Sequence, residues 1–273
     1  MSATRTDGAH EIASNIAIHD QIAEKYDGRH GEIFNSHEQA RLRASLAAAK
    51  ELIETSNDPL RAFDFGCGSG NLTRHMLDLG MAVTAADVSQ RFLDLVRLRF
   101  NSPHLETLKL NGSDISGAVD ASFDFAASYS VLHHVPDYLA AVREMARIVR
   151  PGGVIYIDHE QAPSYWAGDP VLERYYREGR PYDWRKWLVP SNYFHKAIRL
   201  INPRHANEGD IHVWPDDHIE WDLVDATLDE ADFTIVARSD YLLFQGGDRP
   251  AVHSSYTNRC NDMRCTVYRR SAA

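Results

Sequence analysis

Three glycines at alternate positions, Gly66, Gly68 and Gly70, follow the apolar run Ala62-Phe63-Asp64-Phe65 and precede a helix-like pattern of Leu72, Met76 and Leu77. That order reads as strand, tight turn, helix. Glycine tolerates positive φ and lets a ligand approach bare backbone, and the helix that follows starts with unpaired N–H groups. A polar cofactor suits such a turn. A second apolar run, Met81 to Ala86, ends in Asp87, and an acid roughly 20 residues past such glycines accepts ribose hydroxyls. Further on stand Asp114, Ser128 and the pair His133-His134. Imidazole is the side chain best suited to take a proton near neutral pH. His133 is therefore the candidate general base, with His159, His195, His212 and His218 as alternatives; the plain alternative is a histidine that only packs or caps a helix.

A dinucleotide fingerprint, G-x-G-x-x-G, would place its third glycine at position 71. Asn71 stands there, and the third glycine comes one residue early. The stretch Asp64-Phe65-Gly66-Cys67-Gly68-Ser69-Gly70 instead resembles the first motif of the class I S-adenosylmethionine-dependent methyltransferases. Four more segments resemble that family in the same order: the run ending in Asp87, then Leu108 to Ile115, then Phe123 to His134, then Ala146-Arg147-Ile148-Val149-Arg150-Pro151-Gly152-Gly153 running into Ile157. The resemblance covers the cofactor half of the chain. It implies S-adenosylmethionine as cofactor, with Asp64 facing its ammonium, Gly66 and Gly68 beneath it, Asp87 and Val88 at the ribose, Asp114 and Ile115 at the adenine, and Ser128 at the tip of the fourth strand. Tyr26-Asp27 matches a family pattern in which Tyr26 closes over the methionine end; packing between two helices is the alternative for Tyr26. Arg41 and His30 are further candidates for that closure. For Asp64 the alternative is bonding to loop N–H groups.

These residues need elements to hold them. Strands at about 61–65, 82–87, 105–110, 123–128 and 153–158 alternate with helices at about 70–80, 89–101, 114–119 and 137–149, which predicts a parallel sheet with helices on both faces. Ligands of such sheets sit at the carboxyl ends of the strands, where Gly66, Asp87, Asp114 and Ser128 all fall. A helical pattern over 10–54 precedes the core. After it, all five tryptophans lie between Glu160 and Trp221, among tyrosines, histidines and prolines. So much aromatic surface argues for a folded insertion, either a lid lining a substrate pocket or a satellite core or dimer interface. A helix from Pro215 to about 230 and β-like runs at 233–238 and 266–268 resemble the antiparallel pair that ends a methyltransferase sheet; the segment 245–259 reads as loop. The expected fold is thus α/β, a seven-stranded mostly parallel sheet, divided as an N-terminal helical cap (1–56), a cofactor core (57–160), an insertion (161–215) and the end of the sheet (216–273).

With 273 residues, 44% hydrophobic and 25% charged, the chain is an ordinary globular one. No apolar run approaches the ~20 residues of a membrane helix, no secretory signal is evident at the start, and three cysteines suggest no disulfide framework. A cytoplasmic location follows as the default. A net charge of −10 without a basic block disfavours nucleic acid as partner and favours a small molecule. Asp158-His159-Glu160 and Asp210-Ile211-His212 offer metal-ligand types but no diagnostic spacing, so no metal is expected. Ser128-Tyr129-Ser130-Val131 replaces the Asn/Asp-Pro-Pro-Tyr signature of many amide- and nucleobase-directed methyltransferases. The resemblance therefore implies methyl transfer to a metabolite, to oxygen before carbon or nitrogen. An NAD-dependent oxidoreductase on the same fold and a non-catalytic S-adenosylmethionine-binding regulator are the competing expectations.

Overall fold

The computed structural model describes residues 30–54, 57–179, 218–245 and 249–272. Strands β1 (Arg61–Phe65), β2 (Ala82–Asp87), β3 (Leu105–Lys109), β4 (Phe123–Tyr129), β5 (Val149–Gln161), β6 (Phe233–Tyr241) and β7 (Met263–Arg270) form one sheet in the order β3-β2-β1-β4-β5-β7-β6. The first five strands are mutually parallel, and β7 runs antiparallel between β5 and β6. The order reverses between β1 and β4, which is where a doubly wound sheet opens its binding crevice.

Central strands of such a sheet are covered on both faces, and β4 is buried at every position. On one face α1 (Ser36–Lys50) and α2 (Asn71–Asp78) lay Leu42, Leu46, Leu72 and Met76 against Phe125, Ala127, Tyr129 and Tyr156. On the other, α4 (Tyr138–Ile148) and α7 (Trp221–Asp229) lay Val142, Met145, Val224 and Leu228 against Phe63, Ala126, Ile155 and Ile157. Helix α3 (Gln90–Arg99) covers the β2 side through Leu93 and Val96. Side chains cap α1, α3 and α4: Asn35, Ser89 and Asp137 accept from the backbone of Glu38, Phe92 and Ala140. Helix α2 starts from Gly70 without a side-chain cap.

Two expectations are corrected. The helix expected over 114–119 does not form. Asn111 and Asp114 accept bonds from backbone N–H groups two and three residues on, a local pairing that competes with helix. Glu144 and Arg147 of α4 then pair with the backbone of this turn: Ile115 N–H donates to Glu144, and Arg147 donates to the carbonyls of Ile115 and Ala118. The segment 245–259, expected as loop, contains α8 (Pro250–Tyr256), with proline in its first turn as helix starts favour. Tyr256 of α8 packs with Leu172 and Tyr175 of α6 (Pro170–Gly179) and with Leu242 in a small second core. A short helix α5 (Pro163–Trp166) leads into α6. Boundaries also shift: β5 already begins at Val149 and carries Pro151-Gly152-Gly153 within it, and α7 begins at Trp221. Tyr26, most of the helical pattern before α1, and Trp184, Trp187, Trp214, His195 and His212 of the insertion lie outside the described residues.

Gly66 shows why the turn after β1 needs glycine. Its φ is +71°, and a Cβ there would lie 2.5 Å from Cγ1 of Val131. Gly66→Ala is expected to destabilise the protein by about 2 kcal/mol, a left-handed penalty plus a clash, lowering Tm by about 4–8 °C; differential scanning calorimetry against wild type checks it.

Candidate active site

The carboxyl ends of β1, β2, β4 and β5 assemble two adjoining structures, a glycine cradle and a histidine–carboxylate pair. In the cradle the N–H groups of Gly66 and Cys67 both donate to the carbonyl of Ala86, drawing the turn onto β2. Asp87 holds the loop from the other side, its two oxygens accepting from Gly68 N–H at 2.9 Å and Ser89 N–H at 2.7 Å. A carboxylate has further lone-pair positions beyond these, so the residue that shapes the loop can also receive a ribose diol. Gly68, at φ +48°, has no atom within 4 Å of where a Cβ would project. That open space over bare backbone is what a nucleoside cofactor requires.

Asp64 is buried one turn beneath, accepting from Thr73 Oγ1 of α2 at 2.6 Å. Burial first, countered by the Thr73 bonds and added to by the charge of Asp87, pushes its carboxyl up to about 7. Val88 packs part-buried against the core beside Asp87. Asp114 is exposed, and bonds from Ser116 first and Asn111 next hold its carboxyl below the usual range. Ile115 is buried in the core, and the segment expected at the adenine is built of backbone turns where the sequence led one to expect a helix. Ser128 is fully buried at the end of β4, and its hydroxyl has no protein partner.

Next to the cradle, Val131 lies against Gly66 and leads into a 3₁₀ turn, Leu132–His134. Here His133 Nδ1 meets Glu160 Oε2 at 2.8 Å, while Glu160 Oε1 accepts the N–H groups of Val131 and Leu132 at 3.1 and 2.8 Å. Glu160 is 1% exposed. Its charge is thus met by two amides and an imidazole, and the imidazole is held in one orientation. The rings of His133 and His134 lie 4.0 Å apart.

A second buried network flanks this pair. Arg41 of α1 bonds both Glu38 (2.6 Å) and Asp158 (2.8 Å) and stacks 3.8 Å from the centre of the Tyr241 ring. Tyr129 donates to Glu38, and Tyr156 and Tyr241 donate to Asp158. Burial alone would weaken the Arg41 charge; Asp158, then Tyr241 and Glu38, keep it fully on. Burial pushes all three phenols up, so they serve as donors. Arg41 is therefore fastened into the base of the site. His30 pairs with Glu32, and His218 stacks on Trp166. Among the described residues no group of three His, Cys, Asp or Glu is arranged to hold a metal ion, and no helix is long and apolar enough to cross a membrane. Sequence reasoning missed the pairings of Glu160 with His133 and of Tyr129 with Glu38, which join residues 27 and 91 positions apart.

Residues 63–157 match the sequence profile of a family described as a methyltransferase domain. The ubiquinone biosynthesis O-methyltransferase of Neisseria meningitidis serogroup A / serotype 4A is 29% identical over 186 residues, covering 64% of this chain and 76% of that protein. The protein of the same name from Alkalilimnicola ehrlichii is 30% identical over 137 residues, 48% of this chain and 56% of its own. An S-adenosylmethionine-dependent methyltransferase structure from Mesorhizobium loti superposes with a TM-score of 0.52 at 19% identity, covering 83% of this chain and 98% of that one. The last is a likeness of fold.

Two outcomes follow. Asp87→Ala removes the loop tether and is expected to weaken S-adenosylmethionine binding roughly tenfold to hundredfold, at about 1.5–3 kcal/mol for bonds to a charged group; isothermal titration calorimetry reads it directly. For Asp64, a folded-state value raised above that of the unfolded chain contributes stability that is complete below pH 4 and is lost as pH rises through about 7. Asp64→Asn, which stays neutral, should therefore match wild type near pH 4.5 and exceed it in urea midpoint at pH 8. A constant difference across that window would refute the shift.

Proposed function

We propose that this chain, a class I S-adenosylmethionine-dependent methyltransferase, methylates an oxygen of a small hydroxylated molecule with His133 as the general base. One observation carries the reading: the turn that bears His133 is packed, through Val131, directly onto the glycine that floors the cofactor cradle. Val131, two residues before the base, thereby ties its turn to the cofactor loop. The printed names of the Neisseria and Alkalilimnicola relatives favour oxygen as the acceptor atom.

When bound, S-adenosylmethionine supplies a methyl group on a sulfonium centre, a strong electrophile for in-line displacement. Gly68 leaves it room, and Asp87 orients its ribose. Asp64 adds negative charge beneath a cationic ligand, which also draws its proton off on binding. The remaining work is to align the acceptor and remove its proton. With Nδ1 donating to Glu160, His133 presents Nε2 as the nitrogen with the lone pair. With the methyl carbon–sulfur bond broken and the neutral thioether S-adenosylhomocysteine as leaving group, the proton of the methylated hydroxyl would pass to His133 Nε2, and Glu160 would offset the positive charge on the ring. Glu160 is a positioning residue in this scheme: it fixes the tautomer and the ring plane.

The test is transfer of isotopically labelled methyl to a panel of hydroxylated small molecules, followed by mass spectrometry. His133→Ala is expected to lower kcat by about 10²–10⁴-fold while leaving S-adenosylmethionine affinity unchanged. Glu160→Gln should lower kcat less and move the acidic limb of the pH–rate profile to lower pH, since the imidazolium loses its counter-charge. Undiminished turnover in His133→Ala would remove histidine as the base.

A further inference from the structure

His159 stands apart from every other histidine near the site. It is 6% exposed, and among the described residues neither ring nitrogen has a hydrogen-bond partner. Its ring lies 4.7 Å from that of Tyr129, and its backbone sits at φ +60°, a left-handed value that side chains with a Cβ rarely adopt. The cause is a bulge: β5 pairs Ile157 with Thr266 and Glu160 with Arg264, so that Asp158 and His159 together oppose Cys265 alone. Bulges re-aim side chains and gather next to active sites. This one gives three successive residues three separate tasks. Asp158 bonds Arg41, Glu160 bonds His133, and His159 bonds nothing.

A strained backbone holding a buried polar ring without partners is costly twice over, and it is retained beside the pair that would take the acceptor's proton. Burial pushes the His159 pKa down, so the ring is neutral. Neutral imidazole offers one donor and one acceptor, the complement of a hydroxyl. The surroundings add a second criterion. Glu38, Asp158 and Glu160 are buried around it, Glu32 lies within electrostatic range, and Arg41 is the cation set among them. Carboxylates outnumber cations there, so an anionic acceptor would meet repulsion in a low-dielectric setting.

We propose that His159 is an acceptor-binding residue, hydrogen-bonded through its unpartnered ring to a hydroxyl of the substrate, and that the carboxylates around it admit neutral or cationic acceptors and reject anionic ones. The assignment rests on the reading of this chain as a small-molecule O-methyltransferase and names the class of acceptor that reading left open. His159→Gly supplies the critical variant, because glycine adopts φ +60° without the Cβ penalty and should fold with a Tm close to that of wild type.

The experiment titrates three matched phenols, 4-methylphenol, tyramine and 4-hydroxybenzoate, into the full chain loaded with S-adenosylhomocysteine, with binding read by ligand-observed NMR. The first two should bind about tenfold or more tightly than the benzoate, the charge criterion at work. His159→Gly should weaken 4-methylphenol by about tenfold, as expected for loss of a buried hydrogen bond, with S-adenosylhomocysteine affinity unaltered. Benzoate binding as tight as 4-methylphenol overturns the charge selection. Wild-type affinity for 4-methylphenol in His159→Gly, or no binding of any phenol to the wild-type chain, overturns the role of His159. Methyl transfer enters none of these readouts. A chain that behaves as expected here yet keeps full turnover in His133→Ala loses its assigned base and keeps its acceptor site, and one that fails to bind S-adenosylhomocysteine loses the cofactor reading instead.

Discussion

Everything near the site depends on one close approach, the bare backbone of Gly66 against the side chain of Val131. The approach ties β1 to the turn after β4 at the place where the strand order reverses. A Cβ at Gly66 would force the two apart, and with them the cradle that receives the cofactor and the turn that carries His133. The contact is apolar and short, so it fixes distance more than it adds stability. Its value is geometric: it sets the spacing of the turns that follow two adjacent strands.

Around that contact the protein buries several carboxylates, and each finds hydrogen-bond partners by different means. Glu160 is met by two backbone N–H groups and an imidazole. Glu38 and Asp158 share one guanidinium and three phenols. Asp64 is met by Thr73 alone, through its hydroxyl and its backbone, and burial raises its carboxyl to about 7. Buried ion pairs are weak sources of net stability, yet removing one partner costs about 3–5 kcal/mol. The Arg41 cluster is therefore better understood as a device for rigidity. It pins α1 to β5 and to β6, and so holds the floor of the acceptor side against the helices above.

The β5 bulge shows how strain and chemistry coincide. Regular pairing would have alternated Asp158, His159 and Glu160 between the two faces of the sheet. One extra residue breaks the alternation and lets Glu160 reach the His133 turn while His159 turns to Tyr129. The left-handed conformation at His159 is the local cost of that arrangement.

Local pattern was enough to determine the order of strands and helices, the glycine turn, and the acids at strand tips, because alternation, turn glycines and strand-end acids are properties of a few neighbouring residues. Asp64, Gly66, Gly68, Asp87 and His133 were legible in that way. Where a segment's backbone is paired by residues far along the chain, local pattern misled: residues 114–119 carry a helix-compatible sequence, yet Glu144 and Arg147 of α4 pair with their backbone. The partnership of His133 with Glu160, the fastening of Arg41 between Glu38 and Asp158, and the isolation of His159 were decided by tertiary structure alone. Each requires side chains from distant strands to meet at one sheet edge, and a one-residue bulge, invisible to periodicity, chooses which of them face each other.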